Sequence, residues 1–279
     1  MNNYLVYEPA SKIREIAREA LRGKWKEMFL GMLIYFALST AMTEVLSYFF
    51  ATVKYIPLST GYYFQYNMNF PGELYSLLVT GCLQCGLAMF LLAFFRKRTI
   101  NYGLTLEGFS MFGKAFFLFL LYSVKIFLWT LLFIVPGIIA ILRYSQCFYL
   151  RVDNPDWTAS QCIKESTRLM TGNKGKFFGL TLSFIGWLFL AALVGSFFEL
   201  SNITGIAYLV LSILTALPLL VVQLYMEMSK VAFYEILIGN LVVTDSRGAR
   251  YDRHNAGNET WAEVQSKKDE NDKPDNSEE

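Results

Sequence analysis

The sequence predicts an all-α protein, a polytopic bundle of about six membrane-crossing helices with amphipathic helices on its cytoplasmic side. Three observations carry that reading. Of 279 residues, 54% are hydrophobic and only 17% are charged, against roughly 25% charged in an average soluble domain. The deficit is concentrated in runs. Met28 to Phe50 holds one charge, Glu44, and Leu74 to Phe95 holds none, which is the length and polarity of a transmembrane helix. The third observation is the apolar run from Ala115 to Leu150. As a single helix it would be about 54 Å long, and a bilayer core is only about 30 Å thick. Pro136-Gly137 sits at its middle and offers a turn, so the run divides into two crossings.

Taken in order, residues 1–27 form a cytoplasmic amphipathic helix. Ile13, Ile16, Ala17, Ala20 and Leu21 follow the i, i+3, i+4, i+7, i+8 spacing of one helical face. The apolar stretch that follows is too long for the core of a cleavable signal peptide and is closed by no A-x-A site, so it is expected to act as a retained anchor. Residues 28–243 form the transmembrane domain, with crossings near 28–50, 73–95, 114–135, 137–152, 177–198 and 204–227. The loop from Ala51 to Gly72 carries Tyr55, Tyr62, Tyr63, Phe64 and Tyr66, side chains that favour the headgroup region. A second cytoplasmic helix is expected at 155–171, started by Asn154-Pro155 as N-cap and first-turn proline. Its apolar face is Ala159, Cys162, Ile163, Ser166, Leu169 and Met170, opposite Lys164, Glu165 and Arg168. Such helices either lie in the membrane interface or dock under the bundle. Gly23 and Gly172 stand where a helix-ending glycine belongs. Residues 244–279 form a polar tail, expected to be disordered.

Lys and Arg set the orientation. Basic clusters lie at Lys12 to Lys26, at Arg96 to Arg98 and at Lys164 to Lys176. With six crossings every cluster falls in the cytoplasm; with five, the last would lie outside. Both termini are therefore expected to be cytoplasmic. The junctions Leu21-Arg22-Gly23-Lys24, Met111-Phe112-Gly113-Lys114 and Met170-Thr171-Gly172-Asn173-Lys174 look alike, and hint at three units of interface helix plus transmembrane hairpin.

The combination of Ala17 to Trp25, Val135-Pro136-Gly137-Ile138, Arg143-Tyr144-Ser145, Asp153-Asn154-Pro155, Ala159 to Trp187 and Phe233-Tyr234 resembles the domain of unknown function 975 family over about Lys12 to Leu241. The resemblance implies a bacterial, multi-pass plasma-membrane protein with no assigned activity, and it supplies no catalytic residues. Gly175 stands where an aromatic residue is expected.

Little chemistry is legible. G-x-S-x-G, H-E-x-x-H and phosphate-loop patterns do not occur. Cys82 and Cys85 make a C-x-x-C inside an apolar helix, and the single histidine, His254, is far off in the tail; the cysteines read as small packing residues rather than zinc ligands. Asn202-Ile203-Thr204 and Asn258-Glu259-Thr260 match the glycosylation pattern but fit no other feature of the chain. No catalytic, cofactor-binding or metal residue is expected. The expected partners are the lipid bilayer and other membrane proteins, not nucleic acid.

The intramembrane polar candidates are Glu44, Lys125 and Arg143, since a charge at the centre of a crossing costs roughly 3 kcal/mol on insertion scales. Glu44 stands about 24 Å and Arg143 about 21 Å above the inner surface, which predicts an ion pair between them. The first expectation for function is a non-enzymatic membrane component that associates with membrane proteins or lipid through its amphipathic helices. The alternative is a small transporter or permease-like protein with a polar cavity near Lys125 and Arg143.

Overall fold

A computed structural model of the chain describes residues 5–50, 52–57, 63–190, 193 and 206–241. It is helical except for one two-stranded hairpin. Helix α1 (Ala10–Leu21) is amphipathic. Ile13, Ala17, Ala20 and Leu21 are fully buried, and the helix packs on α8 (Lys174–Leu182) and α9 (Ile206–Leu237). Of the two placements open to this helix, contact with the bundle is what the structure contains. The α1 C-terminus is held by Arg98, whose guanidinium donates to the Ala20 carbonyl, a favourable site for a cation at the negative end of the helix dipole. Gly23 then turns the chain at φ +76°.

Helix α2 (Trp25–Phe50) is continuous but contains a π-turn at Ala37–Ala41. The hairpin of β1 (Thr52–Pro57) and β2 (Tyr63–Met68) follows, antiparallel, with Thr52 opposite Met68. The aromatic segment expected as a plain loop is therefore partly a strand pair. Asn69 caps helix α3 (Phe70–Lys97), its side chain accepting from the Gly72 amide at 3.0 Å. A one-turn helix (Leu104–Glu107) and a 3-10 turn (Gly108–Met111) lead into α4 (Phe112–Leu132).

The turn between α4 and α5 (Ile134–Tyr144) is at Phe133, which is extended (φ −163°, ψ 155°), and not at Pro136-Gly137 as the sequence predicts. Pro136 is instead in the first turn of α5, where its missing N–H costs nothing. Gly137 serves the close approach of the two helices: a Cβ there would lie 2.4 Å from Thr130 Oγ1. The expected crossing 137–152 is two pieces, α5 and α6 (Cys147–Asp153), broken at Ser145-Gln146.

Helix α7 (Ala159–Leu169) starts later than expected. Its N-cap is Thr158, in a capping box with Gln161, because Asn154 is occupied in ending α6, its amide donating to the Leu150 carbonyl at 3.0 Å. The expected face is kept: Cys162, Ile163, Ser166, Leu169 and Met170 are buried and Lys164 is exposed. Gly172 is left-handed (φ +86°) like Gly23, but Gly113 lies within the first turn of α4, so the three junctions are not equivalent. The expected crossing 177–198 begins in α8, is interrupted at Ser183-Phe184 and is helical again from 185 to 190; its far end lies outside the described residues. So do the tail 244–279, His254 and both glycosylation patterns.

The helices close a ring. Helix α2 packs on α3, α3 on α4, α4 on α5, α5 on α8, α8 on α1, α1 on α9, and α9 back on α2 and α3. Three helices, Trp25–Phe50, Phe70–Lys97 and Leu104–Leu132, are each long and apolar enough to cross a membrane.

Candidate functional site

The described residues line two polar cavities inside this ring. The first, of about 330 Å³, is bounded by α2, α3 and α9. Polar groups enter it in stripes at helical spacing: Tyr35, Ser39 and Thr43 from α2, Tyr75, Ser76 and Thr80 from α3, and Gln223 from α9. Glu44 is at its exposed rim. The π-turn belongs to this wall. A π-turn takes carbonyls out of the i→i−4 ladder, and here the Tyr75 hydroxyl reaches across from α3 to donate to the Leu38 carbonyl. The Ser39 hydroxyl donates to the Tyr35 carbonyl at 2.7 Å.

The second cavity, about 270 Å³, lies further along α3, among α4, α5, α6, α8 and α9. Gln84, Tyr122, Ser145, Tyr149, Thr181, Glu227 and Lys230 supply its polar groups. Lys230 and Glu227 form an ion pair at 2.7 Å, and the other carboxylate oxygen of Glu227 is 3.5 Å from the Tyr149 hydroxyl.

One hydrogen bond lies between the cavities. Gln84, on the wall of the second, donates to the Tyr35 hydroxyl, on the wall of the first, at 2.9 Å. From Tyr75 in the first cavity to Leu91 in the second, the lining runs about 24 Å along α3, most of the thickness of a bilayer core.

The three charges singled out from sequence are scattered. Glu44 lines the first cavity. Arg143 is over the Trp129 ring, 5.9 Å from its centroid, in a separate pocket of about 200 Å³ with Pro136, Ile139 and Ala140; its Nε is buried with no hydrogen-bond partner. Lys125 is half-buried on α4 and lines neither cavity. No ion pair among the described residues joins Glu44 to Arg143, because α3 and α4 stand between their helices. Equal depth fixes height in a bundle and leaves position around the ring open. The polar space is thus around Glu44, Gln84 and Glu227, not around Lys125 and Arg143.

A partly buried network that the sequence reading missed ties three helix ends together. Arg96 donates to Glu235 from Nε at 2.8 Å and to both oxygens of Asp153 at 2.7 and 2.8 Å. The Tyr234 hydroxyl donates to Asp153 at 2.7 Å and Asn240 to Glu235 at 2.9 Å. Arg151, also buried, donates to the Pro155 and Trp157 carbonyls. Cys82 and Cys85 are buried on the face of α3 that meets Ala115, where Gly81 lets the Ala115 carbonyl approach to 2.6 Å of its Cβ position.

No curated protein and no solved structure matches the chain. A family model described as protein of unknown function (DUF975) matches residues 7–142 and 131–240. The matched stretches contain both cavities, helices α1 to α9 and every residue on which the resemblance rested, and with most of its length covered the chain belongs to the DUF975 family.

Proposed function

We propose that the chain is a six-crossing protein of the bacterial plasma membrane, with both ends in the cytoplasm, that binds a small polar solute inside its helix ring and passes it along α3 without enzymatic chemistry. The observation that carries this is the pair of polar cavities set end to end over about 24 Å of α3 and divided by the Tyr35–Gln84 hydrogen bond. Ionisable side chains such as Glu44 and Glu227 facing the interior of an apolar bundle are costly and line solute paths or pair with one another. The other reading, a component that associates with membrane proteins or lipid, is favoured by one observation: Phe117, Val124, Phe127, Leu128 and Leu131 make an exposed apolar face on α4. Its proposed contact elements, the amphipathic helices, bury their apolar faces within the protein itself.

Cysteine scanning of α3 tests the proposal. The four native cysteines are buried and serve as a silent background. Single cysteines at Ser76 and Thr80, which line the first cavity, should react with a charged thiol reagent in membranes, while Leu77 and Leu78, on the outer face, should not. Equal reactivity of both pairs, or of neither, would sink the solute path.

A further inference from the structure

The chemistry of the first cavity narrows the solute, given the solute path just proposed. Among the described residues, Glu44 is the one charged side chain on its lining. The other polar groups described there are the hydroxyls of Tyr35, Ser39, Thr40, Thr43, Tyr75, Ser76 and Thr80 and the amide of Gln223. No described basic group faces the carboxylate. A carboxylate in a crossing is costly unless something of opposite charge compensates it, so the occupant is a cation. The space is far larger than an ion needs. A single water requires roughly 10–15 Å³ of such space, and this cavity offers about 330 Å³. Tyr35 and Phe36 from α2 and Tyr75 from α3 bring aromatic rings to the same cavity, and aromatic faces attract organic ammonium groups. One carboxylate, several aromatic rings and a set of hydroxyls together match a small organic ammonium compound that also carries hydrogen-bonding groups.

We propose that the cavity between α2, α3 and α9 is a binding site for a small hydroxylated organic ammonium ion, whose positive charge is held by Glu44. The Tyr35–Gln84 bond closes the inner end of the site, so the bound cation waits there until that bond opens. Sodium lacks the bulk to fill the space.

The test uses full-length protein in proteoliposomes, with Thr80→Cys in the native-cysteine background, an anionic methanethiosulfonate as label and choline as probe. Choline should slow labelling several-fold, sodium chloride at equal ionic strength should not, and Glu44→Gln should abolish the protection. Failure of choline to protect, equal protection by sodium, or protection that survives Glu44→Gln each overturns the proposal. If Thr80→Cys labels freely and choline has no effect, the ammonium site falls while the solute path stands. If Thr80→Cys does not label, both fall. A measurement without substitutions guards against a misfolded variant: choline should raise the thermal unfolding temperature of the unaltered protein above that in equimolar sodium chloride, and no difference between the two salts overturns the ammonium site.

Discussion

Glu44, Lys125 and Arg143 carry the same formal penalty in lipid and meet it in three ways. Glu44 faces a cavity, Arg143 is over an indole ring, and Lys125 has a long apolar stem that can run along its helix while the charge reaches polar surroundings. Searching the sequence for isolated charges finds these three but not the residues that define the site. Ser76, Thr80 and Gln84 form an i, i+4, i+8 stripe on one apolar helix, and Gln223 and Glu227 are one turn apart on another. Side chains at that spacing share a face, so the neutral stripes were readable; a search restricted to charges passes over them. The partnership of Glu44 with Arg143 was not readable, since it depends on which helices are neighbours. The separation of the two residues has a measurable consequence. In a double-mutant cycle of Glu44→Gln and Arg143→Gln, the unfolding free energies should add within about 0.5 kcal/mol, as for distant sites. A coupling well beyond that would mean that the two helices meet.

At the scale of elements, glycine has two distinct roles here, and substitution separates them. Gly23 ends α1 at φ +76° with nothing within 4 Å of its Cβ position; alanine there meets only backbone strain, about 1–2 kcal/mol, and Gly23→Asn should recover part of it because asparagine tolerates that region. Gly86 is ordinary in backbone but has the Thr105 carbonyl oxygen 2.0 Å from its Cβ position, so α3 and the segment after it would have to part. Gly86→Ala should cost more than Gly23→Ala, and Gly86→Asn should be worse still. Thermal unfolding in detergent ranks the four variants, and rescue at Gly86 by asparagine would contradict the steric account. The helix ends show the same division between what local sequence decides and what packing decides. Gly23 and Gly172 are as expected because a left-handed residue after a helix is a local requirement. Gly113 is followed by lysine as Gly23 is but has no such conformation, since the chain around it is already helical. The start of α7 was misplaced because two capping signals compete within five residues. Thr158 with Gln161 wins because Asn154 bonds back to Leu150 through both its amide and its side chain. The turn at Phe133 was missed by three residues because proline suits the first turn of a helix as well as it suits a loop.

For the whole molecule, the proposed number of crossings rests on where the chain reverses. The ring order of the helices fixes neighbours, and the reversal at Phe133 turns α5 back along α4. The pieces α5 and α6, from Ile134 to Asp153, would together extend about 30 Å if collinear, the thickness of a bilayer core. The packing is consistent with that return. Arg96 at the end of α3 binds Asp153 at the end of α6 and Glu235 near the end of α9, so those three ends lie on one side of the protein. Arg96 and Lys97 form the last turn of α3 and Arg98 follows it, and Lys164 is carried by α7 just beyond α6. If positive charge marks the cytoplasmic side, the side that holds the Arg96 network is cytoplasmic, and α7 lies there with it. Lys164 is exposed and gives a clean reporter. In intact cells, Lys164→Cys should remain unlabelled by a membrane-impermeant thiol reagent and become labelled once the membrane is permeabilised. Phe50→Cys, at the exposed end of α2, should show the reverse, labelling without permeabilisation. Rapid labelling of Lys164→Cys from outside intact cells would place α7 on the far side and leave five crossings. The Arg96 network would then have to span the membrane, which its hydrogen-bond distances of 2.7–2.8 Å do not allow.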